Sequence, residues 1–238
     1  FEFQKDKQNY MTWEQIRTLH HDGVEIGNHT RDHVPLTAEN YKKQLGAIAA
    51  RCQEHGIPAP VSFAYPGNTF TLEMLPWLGE HGIQFARRGG TPEFKYEAGK
   101  GVALEPGLDH PLLIPTAGDA RPDWVFDDFL SAVLQAELGR VSVLQFHGVP
   151  DGAHDWVSTS ADKFRVYMHY LKANGVTVIA LRDLDQFIDK GMLPKDPAGV
   201  IADRLDMFTK GLLRSEARLP QTRRETSYWF DIMKRHGY

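Results

Sequence analysis

Two histidines four residues apart, His29 and His33, lie in the segment Gly27-Asn28-His29-Thr30-Arg31-Asp32-His33, directly after the short apolar stretch 24–27. Residues at i and i+4 of a helical turn share a face, and neutral imidazole ligates zinc and related divalent ions. Spacing alone fits a capping or surface pair equally well. A position just past a strand, with Gly27 and Asn28 suited to a sharp turn, points to a metal site. A third histidine, His147, follows the most apolar run of the chain, 141–146. A titratable ring at the end of such a strand is partly desolvated and suited to acid–base work near neutral pH; a core histidine is the plainer alternative.

The elements that must position these residues alternate. Helical patterns are expected over 12–21, with Thr12 and Gln15 as a capping box, and over 37–54, with Thr37 as its cap. Further helices are expected over 71–81, 123–138 and 161–173, most of them closed by glycine. Strands are expected at 24–27, 61–64, 83–86, 112–114, 141–146 and 176–181. Helix, glycine, strand and loop recur in that order, which spells parallel strands with helical crossovers, an α/β layered or barrel fold. Active sites in such folds gather at the C-terminal ends of strands. That rule selects the loop 27–33, the loop Tyr65-Pro66-Gly67-Asn68 and the loop that opens with His147-Gly148.

The pairing of these loops resembles a known family. Ile26-Gly27-Asn28-His29-Thr30-x-x-His33 is similar to the metal-binding H-[ST]-x-x-H motif of polysaccharide deacetylases (carbohydrate esterase family four, the nodulation-factor-deacetylase-like domain). Leu144-x-x-His147 resembles that family's last motif. The resemblance spans roughly 10–190 and implies a distorted (β/α) barrel with fewer than eight strands. It also implies a divalent metal, usually Zn2+, held by His29 and His33. The implied activity is removal of acetyl groups from an N-acetylated, sometimes O-acetylated, glycan, with His147 as catalytic acid. Substrate contacts are expected from Tyr65, Pro66, Gly67, Trp124, Leu144 and Trp156. The backbone N–H after Tyr65-Pro66 is the expected oxyanion donor, and Thr30 is expected to orient its loop. Asp119 and the neighbouring Asp123-Trp124 are placed to tune His147 or to wall the pocket, with helix capping by Asp123 and core packing by Trp124 as the plainer alternative.

Two departures stand out. The family's T-F-D-D strand, which supplies the base and a carboxylate ligand, has no counterpart before His29, and is expected upstream of residue 1. Phe126-Asp127-Asp128 spells a similar string inside a helical pattern and reads as a helix start. The arginine that braces the catalytic carboxylate in many relatives is replaced by Ala64, so a different brace is required. These departures leave two other readings open: an amidase acting on a small non-sugar C–N bond, and a non-catalytic glycan-binding module.

Composition narrows the rest. The 27 basic and 31 acidic residues give a formal charge of -4, against a nucleic-acid partner. No apolar run is long enough to span a membrane. The one cysteine, Cys52, excludes an internal disulfide and reads as a buried thiol. The family resemblance favours a secreted or periplasmic setting; oligomeric state is open. The barrel-like unit is expected over 1–190. An appendage over 191–238 is expected to pack on it, with Tyr228, Trp229 and Phe230 docking.

Overall fold

The computed structural model describes residues 10–137, 139–189, 193–194 and 196–210. Its helices are α1 (Trp13–His21), α2 (Tyr41–Glu54), α3 (Met74–Glu80), α4 (Phe126–Val133), α5 (Ala161–Ala173) and α6 (Pro197–Thr209). Its strands are β1 (Ser62–Ala64), β2 (Phe85–Arg87), β3 (Gly118–Asp119) and β4 (Leu144–Gln145). The expected tail aromatics fall outside the described residues.

α1 begins where its sequence says. Thr12 N–H donates to Gln15 Oε1 at 2.8 Å and Gln15 N–H to Thr12 Oγ1 at 3.3 Å, closing the capping box. α5 runs over the expected residues, with Ser160 Oγ accepting from Lys163 N–H. α2 starts later than expected. The backbone of 37–40 forms a turn first, and Asn40 rather than Thr37 stands at the cap, without a side-chain bond. α4 is shorter than 123–138 at both ends. Asp128 accepts from Val125 N–H at 3.0 Å at its start, so Phe126-Asp127-Asp128 is a helix beginning.

Among the described residues both ladders are parallel, with single antiparallel bridges at Lys100–Gly118 and Leu104–Val141. β1 pairs with β2 in the register Ser62–Phe85, Phe63–Ala86, Ala64–Arg87, and β3 pairs with β4 as Gly118–Leu144 and Asp119–Gln145. Single parallel bridges extend this order: Asn28 to Phe63 on one side, Arg87 to Ile114 on the other. The order is therefore Asn28, β1, β2, the segment 114–119, β4. Among the described residues the expected strand 24–27 forms no bridge, which falls on Asn28 instead; 112–114 pairs at Ile114, 141–146 at Val141, Leu144 and Gln145, and 176–181 forms no ladder. Arg182 ties its segment to residues 23–25: its backbone N–H donates to Glu25 and its guanidinium to Gly23 O.

Period-two alternation sorts the side chains into layers. Phe63, Tyr65 and Ala86 pack towards α2 and α3, in a core that Ile201 of α6 joins. Gly118 admits Trp124 and Ala132, since a Cβ there would come within 2.6 Å of the Trp124 ring. Leu144 and Phe146 pack against the same α4–α5 core, which holds Phe129 stacked on Tyr167 at 4.2 Å. Phe85, Ile114 and Val143 meet Leu104, Leu184 and Ile188 in a third cluster on the other strand face. Arg87 shares the face of Phe85, and Gln145 and His147 share that of Val143.

Candidate functional site

The parallel order brings the C-terminal strand ends to one rim, and alternation decides what stands there. From Asn28 onward the inner positions are His29, Ala64, Arg87, Asp119, Gln145 and His147.

The loop 28–33 is held in an uncommon shape. Thr30 (φ 63) and His33 (φ 54) are both left-handed, which a β-branched residue such as Thr30 rarely adopts. The surrounding bonds enforce it. Buried Asn28 donates to Leu45 O at 3.1 Å and accepts from Thr30 N–H at 3.0 Å. Gln44 Oε1 accepts from both Arg31 and Asp32 N–H, and Thr30 Oγ1 accepts from Val34 N–H. Thr30 thus organises the loop, and α2 fixes it through Gln44 and Leu45. The result sets the His29 and His33 rings 4.8 Å apart, centroid to centroid.

His29 Nδ1 donates to Ala64 O at 2.7 Å, which leaves Nε2 as the free lone pair. Although His29 stands exposed at the rim, its pKa is drawn down from 6.5 to about 4. Desolvation of the ring is the largest cause; the bond to Ala64 works the other way, and the positive charges of His33, Arg87 and His147 add to the lowering. The ring is therefore neutral near pH 7, the form a metal needs. The pair suits a borderline divalent ion in donor type and protonation state. Among the described residues no group of three or more His, Cys, Asp or Glu side chains is placed to complete a ligand set.

His147 Nε2 lies 2.8 Å from Gln145 Nε2 and 3.4 Å from Asp119 Oδ1. Asp119 is buried, and its Oδ2 accepts from Arg121 at 2.7 Å while Oδ1 has no hydrogen-bond partner. Arg121 is held in turn by Tyr96, whose carbonyl accepts at 2.9 Å and whose ring lies 4.3 Å from the guanidinium. Asp123, by contrast, is exposed and does not cap α4.

Arg87 is the residue that reasoning from sequence missed. It is the register partner of Ala64, so its guanidinium enters from the next strand beside the position where the resemblance implies an arginine. It donates to Asn68 Oδ1 at 2.7 Å and to Gln145 Oε1. Burial lowers its pKa to about 10, against the raising influence of Asp119 and Tyr96. The strand expected at 83–86 stopped one residue short of it; carrying the alternation on from Phe85 would have found it.

Three expected substrate contacts are corrected. Tyr65 is fully buried on the helix side of β1, its hydroxyl donating to Leu112 O at 2.8 Å. Trp124 is buried against Gly118 in the α4–α5 core. Leu144 packs on that core, on the strand face opposite Gln145. Each falls on the outer parity of its strand or beneath it. Pro66 is also buried, while Gly67 (φ 59) is exposed at the loop tip. Trp156 is 60% exposed, edge-on to His154 at 5.1 Å, on the loop after His147.

Comparison with known proteins bears on this rim. Residues 3–86 match the family model described as polysaccharide deacetylase. The match includes His29, His33 and the loop at Gly67, while Asp119, His147 and Trp156 lie beyond it. No curated protein and no solved structure matches the chain.

Proposed function

We propose that this protein is a metal-dependent hydrolase that removes acetyl groups from an N-acetylated glycan. The observation that carries the reading is the convergence of His29, His33 and His147 on one rim, with a neutral His29 and a buried carboxylate behind His147. The parallel order of the strands is consistent with a distorted barrel as the scaffold.

In this reading His29 and His33 are two ligands of a divalent ion, zinc being the usual choice for nitrogen donors of this kind. Such an ion, when bound, supplies polarisation of the acetyl carbonyl and a more acidic water. The carboxylate base and the remaining ligand come from outside the described residues. Water adds to the carbonyl carbon, the C–N bond breaks, acetate departs and the sugar amine takes a proton from His147. Until that transfer the ring is the imidazolium, and the buried Asp119 carboxylate, whose Oδ1 lies 3.4 Å from Nε2, stabilises its charge. The Gly67 N–H at the exposed loop tip is the assigned oxyanion donor, and Trp156 is the sugar platform at the rim.

Metal binding tests the ligand assignment. Equilibrium dialysis of the protein against zinc should show one tight site, lost in the His29→Ala/His33→Ala variant. Equal zinc retention by the variant and the unaltered protein would remove the histidines from the site.

A further inference from the structure

Arg87 and Gln145 decide which nitrogen of His147 carries the proton of the neutral ring. A guanidinium only donates, so the atom of the Gln145 amide that meets Arg87 must be its oxygen. The amide nitrogen is thereby turned to His147 Nε2, 2.8 Å away. An amide nitrogen also only donates, so Nε2 accepts, and the proton of the neutral ring resides on Nδ1. Arg87 is itself fixed, because its Nη1 also donates to Asn68 Oδ1 at 2.7 Å. Asn68 is seated in turn: it is buried, left-handed (φ 57), and packed so closely on Gly89 that a Cβ there would lie 2.5 Å from its side chain. Three strand-end loops are thus tied to one imidazole.

We propose that Arg87 and Gln145 are positioning residues that hold His147 by Nε2 and fix its neutral form as the Nδ1–H tautomer. Without this pair an imidazole favours the Nε2–H form. The catalytic meaning rests on the deacetylase reading of His147; the tautomer does not.

Long-range proton–nitrogen spectra of the imidazoles in the 15N-labelled protein test it, at a pH where His147 is neutral. The His147 signals are assigned by their loss in His147→Gln. The expected pattern has a bare Nε2 and a protonated Nδ1. Gln145→Glu, which keeps the shape but places an acceptor before Nε2, should move the proton to Nε2. Arg87→Met, which frees the amide to rotate, should shift the ring towards the same form. His29, whose Nδ1 partner is the backbone oxygen of Ala64, keeps its own pattern in every folded variant and serves as the fold control. An Nε2–H tautomer in the unaltered protein, which needs no variant to observe, overturns the proposal. So does an unmoved proton in Gln145→Glu. If the tautomer behaves as expected and no glycan is deacetylated, the positioning stands and the proposed activity falls.

Discussion

A histidine forced to stay neutral lowers stability in acid, and His29 is such a residue. Its folded pKa of about 4 lies below the ordinary 6.5, so on acidification the unfolded chain takes up the proton first. Its contribution to stability is complete above about pH 6.5 and is lost as pH falls towards 4. Urea midpoints across that window should therefore fall less steeply for metal-free His29→Gln than for the metal-free unaltered protein. Parallel slopes would mean that the ring is not held neutral by its surroundings. At this scale the sequence was partly legible. His29, His33 and His147 announce themselves by type and by position after apolar runs. Arg87 and Gln145 do not, because a polar residue at a strand end is common and only the register partner reveals its task.

At the scale of elements, helices were read more accurately than strands. Caps are local, so the Thr12–Gln15 box and the start of α5 could be placed from a few neighbouring residues. Ladder length depends on partners far along the chain, and the apolar runs 24–27 and 141–146 exceed the residues that pair. The same cause misplaced Tyr65 and Leu144, whose sides are set by strand parity rather than by closeness to a motif. α6 shows a further non-local effect. Arg204 donates to both oxygens of buried Asp109, at 2.7 and 3.1 Å, and lies 3.8 Å from Glu93, which Arg88 also holds. Removing one partner of such a pair strands the other charge. Arg204→Ala should cost about 3–5 kcal/mol in a denaturant titration. Arg204→Met with Asp109→Leu should lose much less, because no unpaired charge at Asp109 remains. Equal losses would show that α6 is held by packing alone, through residues such as Ile201.

For the whole molecule, parallel order and alternation turn a one-dimensional pattern into a rim: His29 and His33 at one side, the carboxylate-backed His147 at the other, Arg87 between them. The α/β class with parallel pairing was legible because helix and strand patterns alternate through most of the chain; the expected barrel goes beyond the two short sheets observed. The completeness of the site was not, since a ligand set is assembled from distant segments. The most direct measurement is acetate released from N-acetylglucosamine oligomers by the zinc-loaded protein, with its His147→Ala variant alongside. The account predicts steady release that falls at least about a hundredfold in the variant. Release unchanged in His147→Ala, or none from the unaltered zinc-loaded protein, would contradict it.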